Sequence, residues 1–150
     1  MLSSSSLDEN ERVAKLIDRI TAGMRAGETV APVGKLVGFR PMSVETGKAV
    51  FELEAGPQHA NPMGTLHGGI ICDVADAAMG VAYASTLGEG ESFTTIELKI
   101  NFLRPFQNGT LVATGHVVKA GRTIGLVECD VTDTEGRLVA RAMSTCMTLR

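Results

Sequence analysis

Apolar and polar positions divide the chain into three patterns. From Asp8 to Arg25, the residues Leu7, Val13, Leu16, Ile17, Ile20 and Met24 recur near helical spacing among charges. That predicts an amphipathic surface helix ending near Gly23 or Gly27. The serine run before it, Met1 to Ser6, has nothing to bury and is expected to be disordered. From Val30 the spacing becomes that of strands. Gly34 to Val44 and Lys48 to Leu53 read as a hairpin turning at Glu45-Thr46-Gly47, followed by a loop from Gly56 to Gly64. In Thr95 to Leu103, Ile96, Leu98, Ile100 and Phe102 alternate strictly with Thr95, Glu97, Lys99 and Asn101. Leu111 to Lys119, Thr123 to Val131 and Leu138 to Leu149 add three strands, with turns at Ala120-Gly121 and Asp133 to Gly136. Such short connections predict an antiparallel meander.

The third pattern lies between the strand regions. His67-Gly68-Gly69 opens a stretch that runs to about Leu87 and is small or apolar on almost every side. A surface helix carries a charged stripe, so a helix without one is expected to be buried. Yet this helix holds Asp73 and Asp76, three residues apart and therefore neighbours on its surface. Burying an unpartnered carboxylate is costly, so the pair points to function. One apolar helix among about six strands predicts an α+β fold whose sheet wraps around the helix. Residues 1–32 read as a tail and cover helix, and 33–150 as a single domain without internal repeats.

Composition works by exclusion. A formal charge of −3 gives no electrostatic reason to bind nucleic acid or an anionic membrane. No apolar run approaches the roughly 20 residues that span a bilayer, and no basic start precedes an apolar core as in a secretory signal. Cys72, Cys129 and Cys146 are odd in number and lack metal-ligand spacing. They read as free thiols of a cytoplasmic protein. With no nucleophilic serine elbow, phosphate-cradling glycine loop or metal motif, no cofactor is expected.

The candidate chemistry starts at the helix. Gly68 and Gly69 either present backbone N–H groups to an oxyanion at the positive end of the helix dipole, or serve tight packing. Asp76 lies eight residues beyond Gly68, about 12 Å along a helix axis. If both serve one reacting carbonyl, they come from different subunits, which predicts a dimer with two composite sites. Asn61 orients a water or carbonyl, or simply closes a turn. His67 polarises a carbonyl or caps the helix, and His59 is a general base or a surface loop residue. Thr95 hydrogen-bonds a carboxylate or water, or is an ordinary strand residue. His116 has no acidic sequence neighbour and is assigned no role.

The segments Asn61-Pro-Met-Gly-Thr-Leu-His-Gly-Gly69, then Asp76, then Thr95 to Arg104-Pro105, resemble the hotdog-fold thioesterases of the PaaI-like, 4-hydroxybenzoyl-CoA thioesterase type. The likeness continues through Lys119-Ala-Gly-Arg-Thr123 and Asp133 to Gly136, covering about residues 33 to 149. It implies an antiparallel sheet around a long central helix (about 67–87) and hydrolysis of acyl- or aryl-CoA without a metal. It also implies a homodimer, paired as a dimer of dimers. Carried across, Asp76 becomes nucleophile or general base, the Gly68 N–H polarises the thioester carbonyl, and Asn61, His67 and Thr95 help position the reacting groups. Gly69, Arg104, Lys119, Gly121, Arg122 and Thr123 fall where coenzyme A is bound. Coenzyme A is then part of the substrate. Asp73 has no counterpart. Two alternatives stay open: a hydratase or dehydratase using His59 and Asp73, and a non-catalytic module that binds acyl-CoA.

Overall fold

The computed structural model describes residues 9–29 and 31–150. The serine run and Leu7 lie outside them, and so does the Val13 side chain. In order, the elements are α1 (Glu9–Ala26), α2 (Pro32–Val37), β1 (Phe39–Glu45), β2 (Lys48–Ala55), a 3-10 turn (Pro57–His59) and α3 (Gly68–Ala84). Then follow β3 (Ser92–Phe102), β4 (Gly109–Ala120), β5 (Ile124–Asp133) and β6 (Leu138–Leu149). All six strands join one antiparallel sheet in the order β1-β2-β4-β5-β6-β3, with α3 packed chiefly over β4, β2 and β5. This is the expected α+β hotdog arrangement.

Four expectations are corrected. First, Gly34 to Val37 is helical rather than strand. Pro32 stands in the first turn of α2, where its fixed φ suits a helix and its missing N–H is not needed, and the strand begins only at Phe39. Second, the sheet is not a simple meander. The hairpins β1-β2 and β4-β5-β6 form as their turns dictate, but α3 separates β2 from β3. β3 is thereby released from pairing with β2 and becomes the far edge, beside β6.

Third, α3 is not buried all round. It buries Ile71, Val74, Ala75, Ala78, Met79 and its last turn, while Gly69 and Asp76 are exposed and Asp73 and Gly80 half-buried. These four follow an i, i+4, i+7, i+11 course along one face, which is therefore open. Glycine and cysteine neighbours count as apolar and hide so narrow a polar stripe in the pattern. Beneath the opposite face, Gly115 allows the close approach of helix and sheet. A Cβ there would stand 2.6 Å from the Ala78 carbonyl.

The strict alternation expected in β3 is also broken. Thr95 pairs with Cys146 but Glu97 with Thr145, so Ile96 bulges out and is 55% exposed. The extra residue flips the parity of the strand. Phe93 and Thr95 therefore share the inward side with Leu98 and Ile100.

Candidate active site

The first half of the site is the N-terminus of α3. His67 is the cap, its Nδ1 accepting the Gly69 N–H at 2.9 Å. The first N–H groups of a helix have no intrahelical acceptor. His67 takes that of Gly69, whereas the Gly68 N–H has no acceptor among the described residues. The packing reason for glycine holds here as well, because a Cβ on Gly68 would meet Phe102 Cζ at 2.7 Å. Asn61 closes its own loop: Oδ1 accepts from the Met63 and Thr65 N–H groups at 3.0 and 3.1 Å, and Nδ2 donates to Thr65 Oγ1 at 2.8 Å. It still borders the Gly68 groove, of about 400 Å³, together with Phe102, Arg104 and Phe106.

The second half lies farther along the helix. Asp73, Asp76 and Thr95 line a separate cavity of about 420 Å³ beneath α1. Neither carboxylate meets a hydrogen-bond donor or cation among the described residues. Although the tip of Asp76 reaches solvent, the surrounding protein desolvates it, and Asp73 adds negative charge. Both effects raise its pKa above the usual carboxylate value, desolvation the more strongly. The bulge in β3 turns Thr95 toward this cavity, where its hydroxyl has only a 3.8 Å contact with Cys146 Sγ. Cys72 lies alongside, but burial first and the two aspartates second push its thiol pKa up, so it stays protonated and poorly nucleophilic.

The two halves share no lining residue. Nor are the candidate CoA-binding residues gathered in one place. Arg104 borders the Gly68 groove, whereas Lys119, Gly121, Arg122 and Thr123 sit on the β4–β5 hairpin. That hairpin leads to Gly125, which lies against Tyr83 near the C-terminal end of α3. The 17 residues of α3 put about 25 Å between its ends. Arg122 is exposed, and its carbonyl accepts from Arg150 Nη2 at 2.6 Å.

His59 belongs to neither half. It is 7% exposed, its Nδ1 accepts the Gly56 N–H at 3.0 Å, and its Nε2 donates to the Val37 carbonyl at 2.6 Å. Both ring nitrogens are therefore occupied, which leaves the spacing of His59 to Asp73 without a free base. Sequence reasoning missed the cavity walls: Leu16 and Ile20 of α1, with Phe39 and Phe51 opposite. The apolar stripe of α1 was legible, but its packing partner was not.

Comparison with known proteins shows the family to which this fold belongs. The family model described as the thioesterase superfamily matches residues 63–140. Acyl-coenzyme A thioesterase 13 of Mus musculus is 29% identical over 144 residues, covering 94% of this chain and 96% of the relative. The 1,4-dihydroxy-2-naphthoyl-CoA hydrolase of Listeria monocytogenes is 31% identical over 103 residues, 69% of this chain and 84% of the relative. Among solved structures, a conserved protein of Pseudomonas aeruginosa superposes with a TM-score of 0.76 at 31% identity, covering 81% of this chain and 96% of that one. The PaaI protein of E. coli shares the fold, with a TM-score of 0.78 over 95% of this chain and 97% of its own at 22% identity. The matched segment contains Gly68, Asp76 and Thr95, and with it the chain belongs to the thioesterase superfamily as a hotdog-fold thioesterase.

Proposed function

We propose that the protein hydrolyses acyl- or aryl-CoA thioesters at a site shared between two copies of the chain. The thioester carbonyl oxygen accepts the Gly68 N–H of one copy, and Asp76 of the other delivers the nucleophile. The observation that carries this reading is a separation. An unused N–H and a carboxylate without a partner among the described residues stand about 12 Å apart on one helix, in different cavities. Two antiparallel copies of α3 bring each next to the other's complement. The bare edge of β3 supports the same pairing: eleven residues long and carrying exposed Ile96, it is the kind of edge that proteins cover. Two of the relatives named above, those of Mus musculus and Listeria monocytogenes, act on CoA thioesters by their own names, which fits.

In this mechanism Asp76 either attacks the carbonyl carbon, giving an anhydride that water then opens, or removes a proton from the attacking water. Negative charge moves onto the carbonyl oxygen, where the Gly68 N–H at the positive end of α3 stabilises it. The C–S bond breaks, CoA leaves as thiolate, and its acidity makes a strong proton donor unnecessary. Thr95 orients the water or the Asp76 carboxylate, and Asn61 and His67 hold the loop that presents Gly68. Arg104, Lys119 and Arg122, free of ion pairs among the described residues, are the cations offered to the CoA phosphates. The dimers pair further into tetramers, and three unpaired cysteines suit a reducing cytoplasm.

A released-thiol assay over aryl-, short- and medium-chain acyl-CoAs tests the activity. Release from none of them would sink the reading and leave acyl-CoA binding without catalysis. Mixing Asp76→Ala with Asn61→Ala chains tests the sharing. Random reassociation is expected to restore about a quarter of wild-type activity, because half the dimers then hold one intact site in two. No recovery would place the whole site within one chain.

A further inference from the structure

The cavity that Asp76 lines has a sharply divided wall. Asp73, Asp76 and Thr95 mark one end, and nearly everything else is apolar. Its roof is α1: Leu16 and Ile20, one helical turn apart, face into it, and Ile20 is only 4% exposed. Opposite them, the open stripe of α3 contributes Gly80, and Phe93 stands behind it. Phe93 is held edge-on against buried Tyr83, with ring centroids 5.5 Å apart and planes at 64°. Asp73, Asp76 and Thr95 also line a more polar groove beside Cys72, Ile96 and Glu97, so the apolar tail of an acyl group attacked from Asp76 would extend into the cavity under α1.

Its size selects among acyl groups. At about 420 Å³, it offers roughly 30 Å³ to each of a dozen methylene-sized groups, allowing for imperfect filling about eight to twelve carbons. A single aromatic ring would leave about half of that space empty, forfeiting contacts on one side.

Neither roof residue lies in the segment 63–140 that matches the thioesterase superfamily, whereas Gly68 and Asp76 both do. The chemistry and the roof are thus encoded in different parts of the chain. We infer that α1, through Leu16 and Ile20, is the chain-length gauge of the enzyme, and that its preferred substrates are unbranched acyl-CoAs of about eight to twelve carbons. The inference rests on the reading of Asp76 as the attacking group.

The test is a profile of kcat/KM against acyl length, from butyryl- to palmitoyl-CoA with benzoyl- and phenylacetyl-CoA alongside. In the wild type the value rises by up to about fourfold per methylene and stops rising near ten carbons. Gly80→Val adds three carbons to the wall and moves the break about three carbons shorter. Ile20→Ala removes three from the roof and moves it about three longer. Leu16→Ala, at a less buried position, gives the same direction should Ile20→Ala not fold. Leu36→Ala, at an exposed residue outside the cavity, leaves the profile in place. Opposite shifts establish the gauge, because a merely structural defect lowers all chain lengths together. A proportional loss with an unmoved break, or an aryl preference in the wild type, overturns the inference while hydrolysis itself stands. No thiol release from any substrate overturns both readings.

Discussion

Two pairs of aspartates, each three residues apart, have opposite fates. On β5, Asp130 accepts a bidentate clamp from Arg141 at 2.7 and 3.0 Å, and Asp133 accepts Arg137 Nε at 2.7 Å. Asp133 also accepts the backbone N–H groups of Glu135 and Arg137, both at 2.9 Å. On α3, Asp73 and Asp76 have no such partners among the described residues. The charges follow suit. The Arg141 hydrogen bond holds Asp130 below the usual carboxylate range. Burial alone would lift Asp133, but its hydrogen bonds, that of Arg137 foremost, hold it low. Asp76 is instead raised by desolvation and by its neighbour. A strand partner or a turn supplies cations and N–H groups at fixed register, so strand acids become structural. A helix face turned toward a cavity supplies none, and an acid kept there is available for chemistry.

The largest expected effect separates the pairs by activity. Asp76→Ala lowers kcat/KM for the best acyl-CoA by about 10²- to 10⁴-fold, whereas Asp130→Ala leaves it within about threefold. Equal losses, measured side by side, would erase the distinction.

Stability separates them with the opposite sign. Because the folded Asp133 carboxyl titrates low, its contribution is present above the ordinary carboxylate pKa and is lost as pH falls through the lowered value. Because Asp76 titrates high, its contribution is present at low pH and is lost as pH rises through the raised value. At pH 7, Asp133→Asn therefore lowers the melting temperature, and Asp76→Asn raises it slightly, as expected where a site trades stability for function. Melting curves between pH 3 and 8 check both, and the Asp76→Asn gain should vanish on acidification. A gain that persists at pH 3 would mean that the charge on Asp76 is not its source.

The smallest effect concerns Asp73. Replacing it by asparagine removes the negative neighbour that helps raise Asp76, so the acid limb of the kcat/KM profile moves to lower pH while the plateau changes little. An unmoved limb would assign the raised pKa to desolvation alone.

Much of this molecule was legible along the chain. Period-two alternation and glycine turns located the strands of β1-β2 and β4-β5-β6, since local pairing depends on nearest neighbours. The same is true of α3, whose small apolar residues and His67-Gly-Gly opening marked its start to within about a residue. Counting along α3 was enough to separate Gly68 from Asp76, because helical rise is constant.

What the tertiary structure decided depends on contacts between distant segments. The place of β3 at the sheet edge follows from where α3 delivers the chain, and one bulge at Ile96 reversed the inward side of the residues before it while Leu98 and Ile100 kept theirs. That His59 is locked by Val37 and Gly56, that His67 takes the Gly69 N–H and leaves that of Gly68 free, and that α1 roofs the Asp76 cavity are likewise matters of packing. Periodicity reports which face of an element is apolar. It does not report what that face meets, and at this site the meeting of α1, α3 and β3 makes the cavity.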